Sequence, residues 1–277
     1  MGKLGVIAGQ GDIVDLAVSL LESQGEDFYI IDLTGGKVLK RFPHCQGKAF
    51  GVGQVGGIIK TLKRSHIDRV LFMGKVDKRV LYKRPRVDLR AAKVLLTLKD
   101  FSDDSILSAV IQELKKEGIR LVGQKEVLGD MIPSAGLLAG VDPDKETMED
   151  VAFGFSMSRE IGRLGIGQTV VVKNQSVVAV EALEGTDETI KRGGELAGPG
   201  VVVVKVKRPS QSPLLDVPTV GLKTLDVMEK VKARALAVEA QETLVLNLKE
   251  MDKRSKRSGI SLLAVDEAFL ASWLASS

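Results

Sequence analysis

The 277 residues are 44% hydrophobic and 27% charged, with a net charge of +4, which is the balance of a globular chain and not of a disordered or fibrous one. That length fits one or two domains, and two are expected. Asp12 and Asp15 interrupt the first twenty residues, so neither a signal peptide nor a membrane span fits there, and the single cysteine, Cys45, excludes an internal disulfide. A cytoplasmic location is expected.

The segment "KLGVIAGQGD" reads as a buried strand from Leu4 to Ala8, a glycine turn, and then a helix from Ile13 to Ser23 with apolar residues at helical spacing. "DFYIIDL" and "DRVLFMG" supply two more apolar strands, with a helix over "GQVGGIIKTLKRSH" between them. Such alternation predicts a Rossmann-like, mainly parallel sheet covered on both faces, over residues 1–130. Helical periodicity continues through "VDLRAAKVLLTLKD" and "DDSILSAVIQELKKEG", where Asp103 or Asp104 would cap the start and Gly118 the end, and "IRLVG" reads as a strand.

Residues 131–145 are rich in Gly and Pro without a clear period and are read as a connection. A mixed α/β domain is expected over 146–277. It opens with a helix over "KETMEDVAFGFSMSREIGRLG", followed by a hairpin turning at Asn174–Gln175 in "TVVVKNQSVVAVEA". A helix over "EGTDETIKRGGEL", the strand "GVVVVKV", a short strand in "VPTVG", a helix from Leu225 to Ala233, strands in "ALAVEAQETLVLN", another helix and the strand "ISLLAVD" complete it. No repeat or low-complexity segment is found.

Several stretches are candidates for chemistry. "GQG" would let Gly11 approach a phosphate at a helix N-terminus, but Val14 stands where a dinucleotide fingerprint needs its third glycine, and Asp12 carries the wrong charge; a tight turn explains the glycines equally well. Gly74 and Lys75 end a strand at the rim where ligands of open α/β sheets gather. "VEALEGTDE" places Glu181, Glu184 and Asp187 around Gly185 and Thr186, either as ligands of a divalent ion, as donors at a helix start, or as a plain capping box with Thr186 as cap. Asp216 sits in the stiff loop "RPSQSPLLDVPTVG" after Lys205, Lys207 and Arg208. It is either a cap or ion-pair partner, or the acid of a site holding a metal-bound phosphate.

His44 and His66 are the only histidines, and neither has Cys, Asp or Glu at metal-ligand spacing, so zinc is not expected. No Walker motif or G-x-S-x-G occurs. Between Lys60 and Lys99 thirteen Lys or Arg face only Asp68, Asp77 and Asp88. This is either a solvated helix surface or a face meeting phosphates of a nucleotide, an anionic lipid or nucleic acid. With 4% aromatic residues there are few stacking platforms, so a nucleic-acid partner is not expected.

Taken together, "KLGVIAGQGD", "GGIIKTLKRSHIDRVLFMGKV", "DDSILSAVIQELKKEGI" with "EVLGDM", "REIGRLGIGQTVVVKNQSVVAVEALEGTDE" and "DVPTVGLKTL" resemble, in this order, the LpxI-type UDP-2,3-diacylglucosamine pyrophosphatases of lipid A biosynthesis. The resemblance implies a two-domain enzyme that hydrolyses the substrate diphosphate to UMP and 2,3-diacylglucosamine 1-phosphate. It also implies Mg2+ or another divalent cation, a lipid held between the domains, and water attacking the uridine-side phosphorus.

The family's essential acid maps onto Asp216, as catalyst or metal ligand. Gln168, Gly185, Thr186, Asp187 and Lys207 would bind substrate from the second domain, and Gly11, Asp12, Gly74 and Lys75 from the first. Two departures are visible: Gln10 interrupts the family's glycine run, and Leu214 stands where members often carry arginine, a role open to Lys207 or Arg208. Transient contact with the inner-membrane surface, helped by the Lys60–Lys99 region, is expected of a protein without an anchor. A homo-oligomer is left open. The rival readings are a nicotinamide-dependent oxidoreductase, from the strand-GQG-helix start, and a non-enzymatic nucleotide or nucleic-acid binding module, from the basic region.

Overall fold

The computed structural model describes residues 2–76, 87–98, 103–209 and 217–276. Their packing divides the chain into two units, Met1–Val127 and Leu128–Ser277.

In the first unit β1 (Lys3–Ala8) and α1 (Asp12–Ser23) are followed by β2 (Phe28–Asp32), a short α2 (Lys37–Arg41) and β3 (Gly47–Ala49). Then come α3 (Val55–Arg64), β4 (Ile67–Met73), α4 (Leu89–Leu96), α5 (Asp103–Lys116), β5 (Arg120–Val122) and α6 (Gln124–Leu128). All five strands are parallel in the order β3-β2-β1-β4-β5. This is the strand order of a doubly wound sheet with five strands, and it reverses between β1 and β4.

The strands read as unbroken apolar runs because both faces are covered. Ile7, Ile31 and Val70 pack with Ile58, Ile59 and Leu62 of α3 and Leu114 of α5. Helix α1 buries Val14, Ala17, Val18 and Leu21, the i, i+3, i+4, i+7 stripe expected from its sequence. Asp88 caps α4 through the Ala91 amide at 2.8 Å. The expected capping of α5 by Asp103 or Asp104 concerns side chains outside the described set.

The second unit contains β6 (Gly136–Gly140), α7 (Lys145–Arg163), β7 (Thr169–Lys173), β8 (Ser176–Val180), α8 (Thr186–Ala197), β9 (Val202–Lys205), β10 (Thr219–Val220) and α9 (Leu222–Lys230). It ends with β11 (Ala235–Glu239), β12 (Leu244–Val245), α10 (Leu248–Ser258), β13 (Ser261–Val265) and α11 (Glu267–Ser276). Six strands form a mixed sheet in the order β6-β13-β11-β9-β7-β8, and β10 and β12 form a separate parallel pair. The segment read as a connection, 131–145, contains β6, which pairs antiparallel with β13 at the sheet edge.

Alternate residues of the central strands serve two cores. Val202, Val204, Ala235 and Ala237 meet Met148, Val151 and Phe155 of α7. Val203, Leu236 and Val238 meet Ile190, Leu225, Met228 and Met251 of the helices on the other face. The β7–β8 hairpin turns at Asn174 and Gln175, both with positive φ (50° and 53°), as a two-residue type I′ turn requires. The helix expected from Leu225 starts three residues earlier, where the Leu225 amide donates to the Gly221 carbonyl. It ends before Lys232, whose φ of 52° breaks the helical path.

Candidate functional site

Two clusters of candidate residues emerge, one in each unit. In the first, the loop after β1 folds onto the end of β4. The Gln10 amide donates to the Lys75 carbonyl and the Lys75 amide to the Gln10 carbonyl, both at 2.8 Å. Gly74 has a φ of 79°, and a Cβ there would lie 2.6 Å from the Gln10 carbonyl oxygen and 2.7 Å from a Val14 methyl, so only glycine fits.

Gly11, Gly74 and Lys75 are therefore brought together at the carboxyl ends of β1 and β4, where open sheets bind ligands. The backbone bridge across that switch point already occupies the Gln10 amide, one of the donors a dinucleotide loop would offer. Asp12 is exposed in the first turn of α1. At the neighbouring strand end, Asp32 is fully buried and accepts from the Thr34 amide and hydroxyl (both 2.6 Å) and from the Val38 and Leu39 amides (2.9 and 3.0 Å). Burial alone would raise its pKa, yet these donors hold its carboxyl below the usual aspartate range. An acid at this position binds ribose in dinucleotide folds; here it organises the start of α2.

In the second unit the focus is Lys205, the last residue of β9 and only 6% exposed. A buried ammonium needs acceptors. Its Nζ donates to the Thr186 hydroxyl at 3.1 Å and to the Thr219 carbonyl at 3.0 Å. Thr186 in turn donates to Glu181 Oε1 and shares a hydrogen bond with the Thr169 hydroxyl, both at 3.3 Å. The sheet register builds this group. Thr169 lies opposite Lys205 across β7 and β9, and the Glu181 amide, just beyond β8, donates to the Thr169 carbonyl at 2.9 Å.

Thr186 is thus a side chain of the cluster and not the cap of α8. Gly185 takes the cap position with a φ of 84°, and among the described residues no side-chain cap hydrogen bond is made at the start of α8. The result, among the described residues, is a helix N-terminus without a side-chain cap next to a buried lysine, a pairing that attracts phosphate. Glu184 does not compete, because Arg192 pairs with it at 2.7 Å. Arg192 and hydrogen bonds to Glu184 depress that carboxyl's pKa, a backbone bond leading.

Two buried oxygens of this region, Glu181 Oε2 and Gln168 Oε1, have no hydrogen-bond partner among the described residues. Such groups are costly unless a proton, a cation or a ligand donor meets them. As hard oxygens they fit a divalent ion such as Mg2+.

Other candidates are placed differently. Asp187 is exposed in the first turn of α8. Lys207, proposed from sequence as a phosphate contact, has its Nζ on Glu242 at 2.9 Å and its amide on Glu239 at 2.8 Å. Asp216 and Leu214 lie outside the described residues; the next residue after the acid, Val217, is buried.

Of the basic stretch, Lys63 and Arg90 pair with Glu117 (2.7 and 2.6 Å), Arg90 also with Glu113, and Arg69 with Glu26. Those three cations serve the fold, and residues 77–86 are not described. Lys205 and Thr169 were not singled out as binding residues from the sequence. The available signal was a lysine closing an otherwise unbroken valine run, which only a buried partner can stabilise.

The LpxI N-terminal domain family matches residues 3–131, and the LpxI C-terminal domain family matches residues 134–263. The chain belongs to the LpxI family. It is 34% identical over 279 residues to the UDP-2,3-diacylglucosamine pyrophosphatase LpxI of Caulobacter vibrioides, covering 96% of this chain and 98% of that one. Among solved structures, the apo form of D-lactate dehydrogenase from Escherichia coli aligns over 97% of this chain and 90% of its own. The identity is 16% and the TM-score 0.22, a likeness too slight to speak to fold or function. The two matched regions fall on the two units, and the Lys205 cluster lies in the LpxI C-terminal domain.

Proposed function

We propose that this LpxI-family chain hydrolyses the diphosphate of UDP-2,3-diacylglucosamine, releasing UMP and 2,3-diacylglucosamine 1-phosphate in lipid A biosynthesis. The reaction follows from the name of its Caulobacter relative. The observation that carries it to this molecule is the buried Lys205 side chain, which contacts Thr186 and Thr219 at a helix N-terminus that no side chain among the described residues caps. Lys205 and the α8 amides would offset the charge that builds on the diphosphate in the transition state. The water-side acid would be Asp216, which follows Lys205 by eleven positions and precedes the Thr219 carbonyl that Lys205 contacts by three.

Mg2+, when bound, would polarise the phosphoryl oxygens. Glu181, Gln168 and Asp216 are the residues proposed to hold it, the first two because one buried oxygen of each lacks a partner among the described residues. Gly11, Asp12, Gly74 and Lys75 would contact substrate from the N-terminal unit, and Asp187 from the C-terminal one. Lys207, engaged with Glu242, would do so only by exchanging that partner.

Leu164, Ile166 and Leu183 stand 63%, 49% and 105% exposed in the loops that flank Gln168 and Thr186, which suits a substrate bearing acyl chains. No helix among the described residues is long and apolar enough to cross a membrane, so access to that substrate would come by surface contact.

The test is direct. Purified protein incubated with UDP-2,3-diacylglucosamine and Mg2+ is expected to release UMP. Release should stop with a chelator and return on readdition of Mg2+. Asp216→Ala should lose turnover by about 1,000-fold or more while retaining substrate binding; undiminished turnover of that variant would remove Asp216 from the mechanism.

A further inference from the structure

Away from the Lys205 cluster, three residues of the N-terminal unit offer a nitrogen, a sulfur and an oxygen to one point. We propose that Glu22, His44 and Cys45 form a binding site for a transition-metal ion of the Zn2+ class, separate from the Mg2+ proposed for catalysis. The ligand atoms all lie within 4.8 Å of one another. His44 Nε2 is 2.5 Å from Glu22 Oε1, and the Cys45 Sγ is 3.4 Å from the same oxygen. Metal–ligand bonds of roughly 2.0–2.3 Å set the ligand-to-ligand edge of a tetrahedral zinc site at about 3.5 Å. The three atoms therefore need sub-ångström to ångström side-chain adjustments to surround an ion.

The scaffold holds these residues in place. Glu22 is on the last turn of α1, and its face is fixed two turns earlier by the Asp15–Arg41 ion pair at 2.8 Å, with Arg41 ending α2. The turn carrying the other two ligands is closed by the Cys45 amide on the Phe42 carbonyl at 3.1 Å. The His44 ring lies edge-on to Phe42 with centroids 6.4 Å apart. His44 and Glu22 side chains are 63% and 36% exposed, so an ion can reach the site from solvent and find its fourth ligand as water.

Chemistry selects the ion. A thiolate, an imidazole and a carboxylate favour Zn2+ or Co2+ over Mg2+, which takes oxygen ligands in octahedral geometry. The plainer account of the same contacts is a Glu22–His44 hydrogen bond that merely fastens the turn to α1.

Cobalt distinguishes the two. Full-length, tag-free protein stripped by chelation and titrated with Co2+ under reducing, anaerobic conditions is expected to gain a sulfur-to-cobalt charge-transfer band at one equivalent. Cys45 is the only cysteine, so the band can have no other intramolecular source. One equivalent of Zn2+ should abolish the band, and a large excess of Mg2+ should not.

Cys45→Ser should lose the band, and His44→Gln and Glu22→Gln should each weaken Zn2+ binding at least about tenfold, since even outer-shell partners are worth that much. Unchanged circular dichroism and melting in metal-free buffer would confirm that the three variants fold. Absence of the band in the unmutated protein, or Zn2+ affinity unaltered by Cys45→Ser and His44→Gln, would overturn the site and leave the Glu22–His44 contact as a fastener.

Discussion

At the residue scale, burial converts ordinary side chains into committed ones. Lys205 sits at the end of a strand whose other residues are all valine, and its buried Nζ donates to a hydroxyl and a carbonyl. Removing that charge should be felt in chemistry more than in folding. Lys205→Met keeps most of the stem and is expected to lower kcat for the UDP-lipid by about 100-fold or more, with a smaller change in melting temperature. Thr186→Val should lower it less, since the ammonium keeps the Thr219 carbonyl. Steady-state kinetics beside a thermal melt measure both, and a Lys205→Met enzyme of normal kcat would place the phosphate elsewhere.

At the scale of elements, secondary structure is locked by a few buried polar residues that reach across sequence. Asp150 of α7 is 1% exposed and accepts from the Asn174 and Gln175 amides at 3.1 and 2.6 Å, tying the helix to the β7–β8 turn. Arg234, ahead of β11, pairs with the same carboxylate at 2.7 Å. Asp150→Ala would strand two amides at once and leave the partly buried Arg234 guanidinium with the longer Glu146 contact at 3.5 Å. It is expected to cost about 3 kcal/mol in denaturant unfolding of the second unit, whereas Asp150→Asn, which keeps one acceptor, should cost less.

The hairpin itself was legible beforehand, because Asn-Gln between alternating apolar residues is turn chemistry. Its helix anchor was not, because a carboxylate 24 positions away carries no local signal. The short α2 and β3 escaped notice for a related reason: five and three residues are too few for a period to register.

At the scale of the whole molecule, carboxylates with depressed pKa values occur in both units and set the response to acid. Lys63, then Arg90, holds Glu117 down to about 2. Burial opposes but does not overcome the donors that lower Asp32, Lys116 and Arg90 lower Glu113, and Thr147 lowers Asp144. Arg254 lowers Glu229, and Lys256 lowers Asp252. A carboxylate whose folded pKa lies below its unfolded value contributes stability above the unfolded value, and that stability is lost as pH falls through the folded one. With unfolded values of about 4, the melting temperature should be nearly level from pH 7 to 5 and decline from about pH 4 downward. Asp32→Asn should melt lower at neutral pH and approach the unmutated protein in acid, because its carboxylate advantage is lost there anyway. Calorimetric scans across that range measure it.

Local pattern alone determined the alternation of strands and helices, the division into two α/β halves, the apolar faces and the turn glycines. The ordered motifs resembled the LpxI family, whose domain matches span the chain. These features were readable because backbone hydrogen bonding and apolar burial impose periods of two and 3.6 on neighbouring residues. Only the tertiary structure decided that Glu181, Thr186 and Lys205 form one cluster, that Thr186 does not cap its helix, that Lys207 is taken by Glu242, and that Glu22 meets His44 and Cys45. Each of those contacts joins side chains from separate elements. Which side chains meet depends on strand register and helix packing, and neither is written in the spacing of the residues themselves.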